Sequence, residues 1–522
     1  MGGRTTLAET GFSCNLAGMS PLDDEPRYVN PIIDADLPDP DAVRVGDRYV
    51  MIASSFNRAP GLPVYASDDL VNWERVGDAL PNGTPSAWFE LPRHGSGVWA
   101  PSIRHRNGMY IIVYPDPDQG IFVVTAPDPA GPWSPPRLLL GGLGLIDPCP
   151  LWDDDGSAYL VFGWAKSRSG RKNVLSVVPV DADLRQTTGA ARDIIDGGDI
   201  DGWGTIEGPK FYKRDGWYYI FAPAGGVATG WQAVFRSRNV FGPYEERRVL
   251  EQGTTPVNGP HQGAWVISAD GRDWFLHFQD RGPFGRVVHL QPMAWNDDGW
   301  PVMGQAVDGG PCEPVLSYPT PHGTAQGRRT IARSDDFANG LPGPTWTWQA
   351  KPAADRLVPG ADGLHLRSAD DSGDLRALPS VIGQPLPGMA SSSRVRVALD
   401  GPPGSRAGLA VLGRDYLWAG IVRGEQGDEV VVAARAEDDL AERVVLRADA
   451  GGRVEVALAC AADAALTAIV TVDGREMRVD PCAAASKGRW IGAEIALFAG
   501  NGFGDPGAVA RFQDFRLVLE ED

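Results

Sequence analysis

The chain has 522 residues, too many for one hydrophobic core at roughly 100–200 residues per domain, so two or three domains are expected. Its 48 basic and 67 acidic side chains leave a net charge of −19 spread along the chain. That balance argues against nucleic acid or an anionic membrane as a partner, because both call for basic patches. No run of 18 apolar residues occurs, so no membrane span is expected. The first thirty residues, with Asp23, Asp24 and Glu25, lack the apolar segment of a secretory signal. The five cysteines, Cys14, Cys149, Cys312, Cys460 and Cys482, contain no CxxC pair and fit a reducing compartment. A cytoplasmic location is therefore expected, with secretion left open. The 65 Gly and 44 Pro, together with 17 Trp, 17 Phe and 12 Tyr, point to short strands joined by tight turns, an all-β chain.

Residues 1–26 read as an N-terminal extension. From there to residue 310 one pattern recurs five times: a polar or aromatic residue beside Pro or Gly, an apolar strand, a short turn, and a second strand rich in aromatics. The copies are DPDAVRVGDRYVMIAS from Asp39, WAPSIRHRNGMYIIVYP from Trp99, DPCPLWDDDGSAYLVFG from Asp147, EGPKFYKRDGWYYIFAP from Glu207 and HQGAWVISADGRDWFLHFQD from His261. Their starts are 60, 48, 60 and 54 residues apart, a spacing that leaves room for four strands per unit. This predicts a five-bladed β-propeller over residues 27–310. Any one of these motifs alone is an ordinary strand start. Five in register place Asp39, Trp99, Asp147, Glu207 and His261 around one axis. The Asp-Gly pairs at Asp155, Asp215 and Asp270, and Asn107-Gly108, read as hairpin turns.

Residues 311–332 are rich in Pro and Gly and aperiodic, and read as a linker. From 333 to 522, segments such as SSRVRVAL, GDEVVVAARA and LTAIVTVDG alternate apolar and polar residues, which predicts a β-sandwich of jelly-roll type.

Three carboxylates, a His and a Trp in one pocket leave few reaction classes. GTIEGP and NGPHQG lack the spacing of a nucleotide loop. Asp39, Asp147 and Glu207 lie too far apart in sequence to form a dedicated cation loop. Acids facing each other across a sugar-sized cavity suit glycoside cleavage: one donates a proton to the leaving oxygen, and the other activates water or attacks. Glu207, with Trp203, Ile206 and Pro209 as neighbours, is expected to hold a raised pKa and act as the acid. Asp39, in the polar run ADLPDPD, is expected to stay ionised. Asp147 is expected to orient and tune Glu207.

These motifs resemble glycoside hydrolase family 43 over about 270 residues, from NPIIDADLPDPDAVRVGDRYVMIASS to GRVVHLQPMAW at Gly285–Trp295. The resemblance implies an inverting, exo-acting hydrolase that removes terminal α-L-arabinofuranose or β-D-xylose from plant-type oligosaccharides, with Asp39 as general base, Asp147 as pKa tuner and Glu207 as general acid. It implies sugar contacts from Phe56, Trp99, Arg286 and His261, and no cofactor for the chemistry. By the same resemblance His261 lies near a water or a structural calcium ion in the channel. SDDFANGLPGPTWTWQA and ARFQDFRLVLEED look like the ends of the sandwich of xylosidase-type members, which can close one side of the pocket. Two departures, Asn57-Arg58-Ala59 and the segment Asp116–Ile121, are expected to alter the sugar subsite. The alternatives are a non-catalytic carbohydrate-binding propeller, with Trp99, Trp203 and Trp231 as platforms, and a glycosidase for another furanoside or a galactoside. A fructosidase-type enzyme is disfavoured because no WMNDPNG-like opening occurs. A homo-oligomer is left open.

Overall fold

The computed structural model describes residues 25–85, 87–323, 329–502 and 507–520, apart from the Cys482 side chain. The expected extension over residues 1–26 lies almost wholly outside the described residues. Five four-stranded antiparallel sheets follow one another in chain order. The first blade comprises Asp41–Val45, Arg48–Ile52, Gly61–Ser67 and Glu74–Leu80, and the second Ser102–Arg106, Met109–Asp116, Gly120–Ala126 and Arg137–Gly141. The third runs through Leu145–Trp152, Ala158–Trp164, Val174–Val180 and Arg192–Asp196. The fourth holds Lys210–Arg214, Trp217–Ala224, Trp231–Ser237 and Glu245–Leu250, and the fifth His261–Ile267, Asp273–Asp280, Arg286–Trp295 and Pro301–Met303. The protein is an all-β, five-bladed propeller followed by a β-sandwich.

The second strand of each blade explains why the sheets stack in a ring. Both faces of a blade meet a neighbour, so such a strand is apolar throughout and its alternate side chains enter different seams. Val50 and Ile52 pack against Ile103 and Ile112 of the second blade, whereas Tyr49 and Met51 pack with Ala264, Trp274 and Leu276 of the fifth. In the fourth blade Ile220 and Ala222 join Val161 of the third, and Tyr219 and Phe221 join Phe275 of the fifth. Hairpin turns supply the required backbone. Asn107-Gly108 has φ of 52° and 76°, and Asp215-Gly216 has 52° and 72°, the pair of left-handed residues that a two-residue hairpin of type I′ needs.

The ring closes through backbone hydrogen bonds between its ends. The Ile33 and Val288 amides each donate to the other's carbonyl at 3.3 and 3.0 Å, and the Leu37 amide donates to the Arg286 carbonyl at 3.0 Å. Arg27–Val29 also pairs with Ser317–Pro319, so the stretch expected as a linker contributes a strand to the closure.

In the sandwich, an eight-stranded sheet containing Glu494–Asn501, Arg406–Leu412 and Tyr416–Arg423 packs on a six-stranded sheet containing Ser391–Asp400, Val454–Cys460 and Val509–Leu519. Leu409, Leu417, Ile495 and Leu497 meet Val395, Val456, Leu458 and Phe512 between them. Several contacts tie the sandwich to the propeller. Ala59 and Trp348 exchange backbone hydrogen bonds, and the Arg58 guanidinium pairs with Glu494. Arg281 reaches Asp34 at 2.7 Å and the Gly388 carbonyl at 3.0 Å, and the Ala493 amide donates to the Pro283 carbonyl at 2.7 Å.

The ring-closing seam yields a test of this architecture. Trp274 is 1% exposed at the fifth-to-first blade contact, so Trp274→Ala should lower unfolding stability by about 3–5 kcal/mol in denaturant titrations. A loss below about 1 kcal/mol would mean the seam does not carry the ring.

Candidate active site

The first, third, fourth and fifth blades deliver their first strands to the axis through a local kink. Asp39 and Asp147 have φ of 57° and 56°, Gly208 has 60°, and Gln262 has 38°. Left-handed backbone is tolerated by Asp and free for Gly, and here it turns the chain just ahead of or inside the innermost strand. In the third and fifth blades the turn coincides with register shifts between Ile146 and Cys149 and between His261 and Gly263. The equivalent residues are thus Asp39, Asp147, Gly208 and Gln262. Glu207 and His261 sit one residue earlier, and Trp99 likewise precedes Ala100-Pro101. The sequence alignment put Glu207 and His261 level with the two aspartates because it followed the polar residue instead of the kink.

All three acids line one pocket of about 240 Å³, together with Phe56, Trp99, Thr205, Gln262, Arg286 and Trp490. Asp39 is buried. Its Oδ1 accepts from Arg286 Nη1 at 2.8 Å, and its Oδ2 accepts from the Ser54 hydroxyl. Two donors, one of them a guanidinium, fix the position of the Asp39 carboxyl. Arg286 is itself fixed, because its amide donates to Asp36 at 2.7 Å and its guanidinium lies 4.8 Å from the Phe278 ring centre. Glu207 is the most open of the three acids, with a side chain 30% exposed, and its Oε1 lies 3.1 Å from His261 Nε2. Asp147 Oδ2 accepts from the Gly208 amide at 2.8 Å, a bond that ties it to the residue next to Glu207.

The carboxyl that burial pushes up is Asp147, to about 7, and the negative charge of Glu207 is the second cause. The sequence reading placed the raised pKa on Glu207 from its apolar neighbours. Those neighbours face elsewhere: Ile206 packs in the seam between the third and fourth blades, beside Trp203.

Two residues further along the inner strands lies a second layer. Asp41 accepts from Arg104 Nη1 at 2.9 Å and from the Ile103 amide at 2.8 Å. The fully buried Lys210 donates to the Pro101 carbonyl at 2.7 Å and to Ser102 at 2.9 Å. This network seals the axis under the acids, and the Lys210 charge slightly favours the ionised form of Asp147.

Aromatic side chains wall the mouth. Trp99 meets Phe56 edge-on at 6.5 Å and Trp490 at 6.1 Å. Trp490 comes from the sandwich loop between Arg475–Ala484 and Glu494–Asn501, has φ of 68° and is 45% exposed. A bulky residue in left-handed backbone is uncommon, and the packing around it holds it there. At Gly492 a Cβ would lie 2.7 Å from the Gly285 nitrogen, so only glycine lets the loop approach the propeller this closely. The sequence reading missed Trp490, Ser54, Thr205 and Gln262; no spacing signal links a tryptophan in SKGRWIG to Asp39.

Other expected residues lie elsewhere. Asn57, Arg58 and Ala59 contact the sandwich and not the sugar pocket: Asn57 Nδ2 donates to the Gln349 carbonyl, and Arg58 and Ala59 make the interface described above. The segment Asp116–Ile121 closes a hairpin, and its Asp118 pairs with Arg168 at 3.0 Å. Arg168 in turn lies 5.4 Å from the Trp99 ring, so this departure touches the site only through Trp99. Trp203 and Trp231 pack edge-on against each other at 5.8 Å and line no part of the pocket.

His261 is fully buried, beside Glu207 and the Phe278 ring. Among the described residues no group of three or more His, Cys, Asp or Glu side chains comes together as a metal site. Calcium takes about six to eight oxygen ligands, and the imidazole and aromatic surroundings of His261 do not fit direct ligation.

Asp147 offers a stability test with a defined sign. Its folded pKa lies above the unfolded value, so the stability it contributes is fully present below the unfolded value of 3.8 and is lost progressively as the pH rises to about 7. Asp147→Asn should therefore gain stability over the native protein at pH 8.5, by an amount of the order of 1–3 kcal/mol, and gain little at about pH 3.5, below the unfolded value. An equal change at both pH values would contradict the raised pKa.

Comparisons with known proteins identify the family. The profile of Glycosyl hydrolases family 43 matches residues 28–301, and that of the Beta xylosidase C-terminal Concanavalin A-like domain matches residues 334–518. A provisionally named beta-xylosidase of Xylanibacter ruminicola is 38% identical over 387 residues, 74% of this chain and 71% of that one. A non-reducing end alpha-L-arabinofuranosidase of Bacteroides ovatus is 31% identical over 345 residues, 62% of each chain. The crystal structure of a xylan beta-1,4-xylosidase from Bacillus halodurans superposes with a TM-score of 0.83 at 22% identity, covering 94% of this chain and 100% of that one, a likeness of fold. With the propeller, its three converging acids and the attached sandwich all accounted for, the chain belongs to glycosyl hydrolase family 43.

Proposed function

We propose that this protein is an exo-acting, inverting glycosidase that removes a terminal pentose, α-L-arabinofuranose or β-D-xylose, from plant-type oligosaccharides. The observation that carries this reading is the convergence of Asp39, Asp147 and Glu207 on one pocket whose mouth is walled by Trp490. Asp39, held by Arg286 and Ser54, takes the proton of a water molecule as that water attacks the anomeric carbon. Glu207, the most open acid and in contact with His261, gives its proton to the leaving oxygen. Asp147 stays out of the bond changes. Its bond to the Gly208 amide fixes the backbone beside the acid.

A pocket closed on one side by the sandwich favours a chain end over a chain interior. Related proteins carry both beta-xylosidase and arabinofuranosidase names, in keeping with a pentose in the pocket.

The assignment is tested with Glu207→Gln on paired substrates. Cleavage of an unactivated disaccharide should fall by roughly 10²–10⁴-fold, while an aryl glycoside with a good leaving group is much less affected. Asp39→Asn should lose activity on both. Equal losses in Glu207→Gln on the two substrates would remove Glu207 from the acid role. The alkaline limb of kcat/KM should move in Asp147→Asn, because the Asp147 carboxyl, pushed up to about 7, interacts electrostatically with Glu207. An unmoved limb would disconnect Asp147 from the acid. Trp490→Ala should raise KM by roughly ten-fold with kcat within a few-fold, the pattern of lost uniform binding; unchanged KM would mean the sandwich does not border the sugar.

A further inference from the structure

Two glycines meet where the loop carrying Trp490 rests on the fifth blade. A Cβ at Gly492 would lie 2.7 Å from the Gly285 nitrogen, and one at Gly285 would lie 2.2 Å from Asp36 Oδ1. No side chain fits on either glycine, and the polar group beside them is Asp36. Its Oδ1 accepts from the Arg286 amide at 2.7 Å, and the carboxyl also accepts from the Gly492 amide. One carboxyl thus holds a backbone amide of each domain. Burial pushes it up to about 6, against the pull of these two amides and of the Arg286 charge, so the two amides are what offset its removal from water.

Both amides belong to walls of the catalytic pocket. The first-blade segment grips Arg286 at three points: its amide by Asp36, its carbonyl by the Leu37 amide at 3.0 Å, and its guanidinium by Asp39 at 2.8 Å. Gly492 stands two residues from Trp490. Two further ties join the loop to the fifth blade, each three residues from Trp490. Lys487, half exposed, reaches Asp280 at 3.2 Å, and the Ala493 amide donates to the Pro283 carbonyl at 2.7 Å. A half-exposed ion pair contributes little, which leaves Asp36 as the nearest firm anchor of Trp490.

We propose that Asp36 is a positioning residue, a carboxyl clamp between the domains that sets Trp490 over the sugar and Arg286 against Asp39, in a role that rests on the glycosidase reading of the pocket. Asp36→Ala removes both acceptors and is assayed on an aryl pentoside in the native and Trp490→Ala backgrounds. KM should rise by roughly ten-fold in the native background, and by less than about two-fold where Trp490 is already gone and the loop has nothing to misplace. In both, kcat should fall several-fold, through Arg286 and Asp39. Hydrogen exchange reads the clamp without any reaction: amides of residues 487–493 should exchange roughly ten-fold faster in Asp36→Ala, with Glu494–Asn501 unchanged. An unchanged KM in the native background, equal KM factors in the two backgrounds, an unchanged kcat, or unaltered exchange at 487–493 would overturn the proposal. Faster exchange that extends through Glu494–Asn501 would mark general loosening and overturn it too. If no pentoside is cleaved, or Trp490→Ala alone leaves KM unchanged, the reading of the pocket fails instead, and exchange alone decides on the clamp. Should Asp36→Ala not fold, Asp36→Asn, which keeps one acceptor oxygen, is judged by the same outcomes at smaller size.

Discussion

The ion pair between Arg286 and Asp39 joins the last blade to the first, and both the ring and the chemistry depend on it. The same few residues close the propeller through backbone bonds, with Leu37 to Arg286 and Ile33 to Val288 on either side. A ring that opened by even a small amount would release the carboxylate proposed as the base. Closure therefore places Asp39 where Asp147 and Glu207, from the third and fourth blades, can face it across one pocket. Fold stability and site geometry are one constraint seen at two scales.

The acids are differentiated by what surrounds them. Asp39 is anchored by a cation and a hydroxyl, Asp147 is buried against the Gly208 amide, and Glu207 remains partly open beside His261. The layer of Asp41, Arg104 and Lys210 beneath them has its own ion pairing and hydrogen bonds, so it can keep water and stray charge from the axis without reacting. The sandwich adds what the propeller lacks, a wall at the mouth carried by Trp490, and it fixes that wall through contacts that only Gly492 allows.

Repeats made the propeller legible in the sequence, because Asp-Pro, Asn-Gly and aromatic strands recur at a period that only a blade explains. The three acids were legible for the same reason. What was not legible was register within the motif: the left-handed kink falls on Gly208 and Gln262, one residue after Glu207 and His261, and a kink has no fixed polar signature. Contacts across the domain seam were also hidden. Asn57, Arg58 and Ala59 look like pocket residues from their place after Phe56, yet they face the sandwich because Ala59 pairs with Trp348 nearly 300 residues later. Ser317–Pro319, in a stretch with the composition of a linker, becomes a strand only because Arg27–Val29 offers it an edge. Trp490 could not be found from spacing, since its role comes from docking one domain on another.

The account rests on a water molecule held between Asp39 and the sugar, opposite the proton that Glu207 gives. The most direct test is proton NMR of the first sugar released by the native enzyme from a glycoside of known anomeric configuration, recorded before mutarotation. The account predicts the inverted anomer as the initial product; the retained anomer would contradict it, because retention requires a carboxylate to bond the sugar itself.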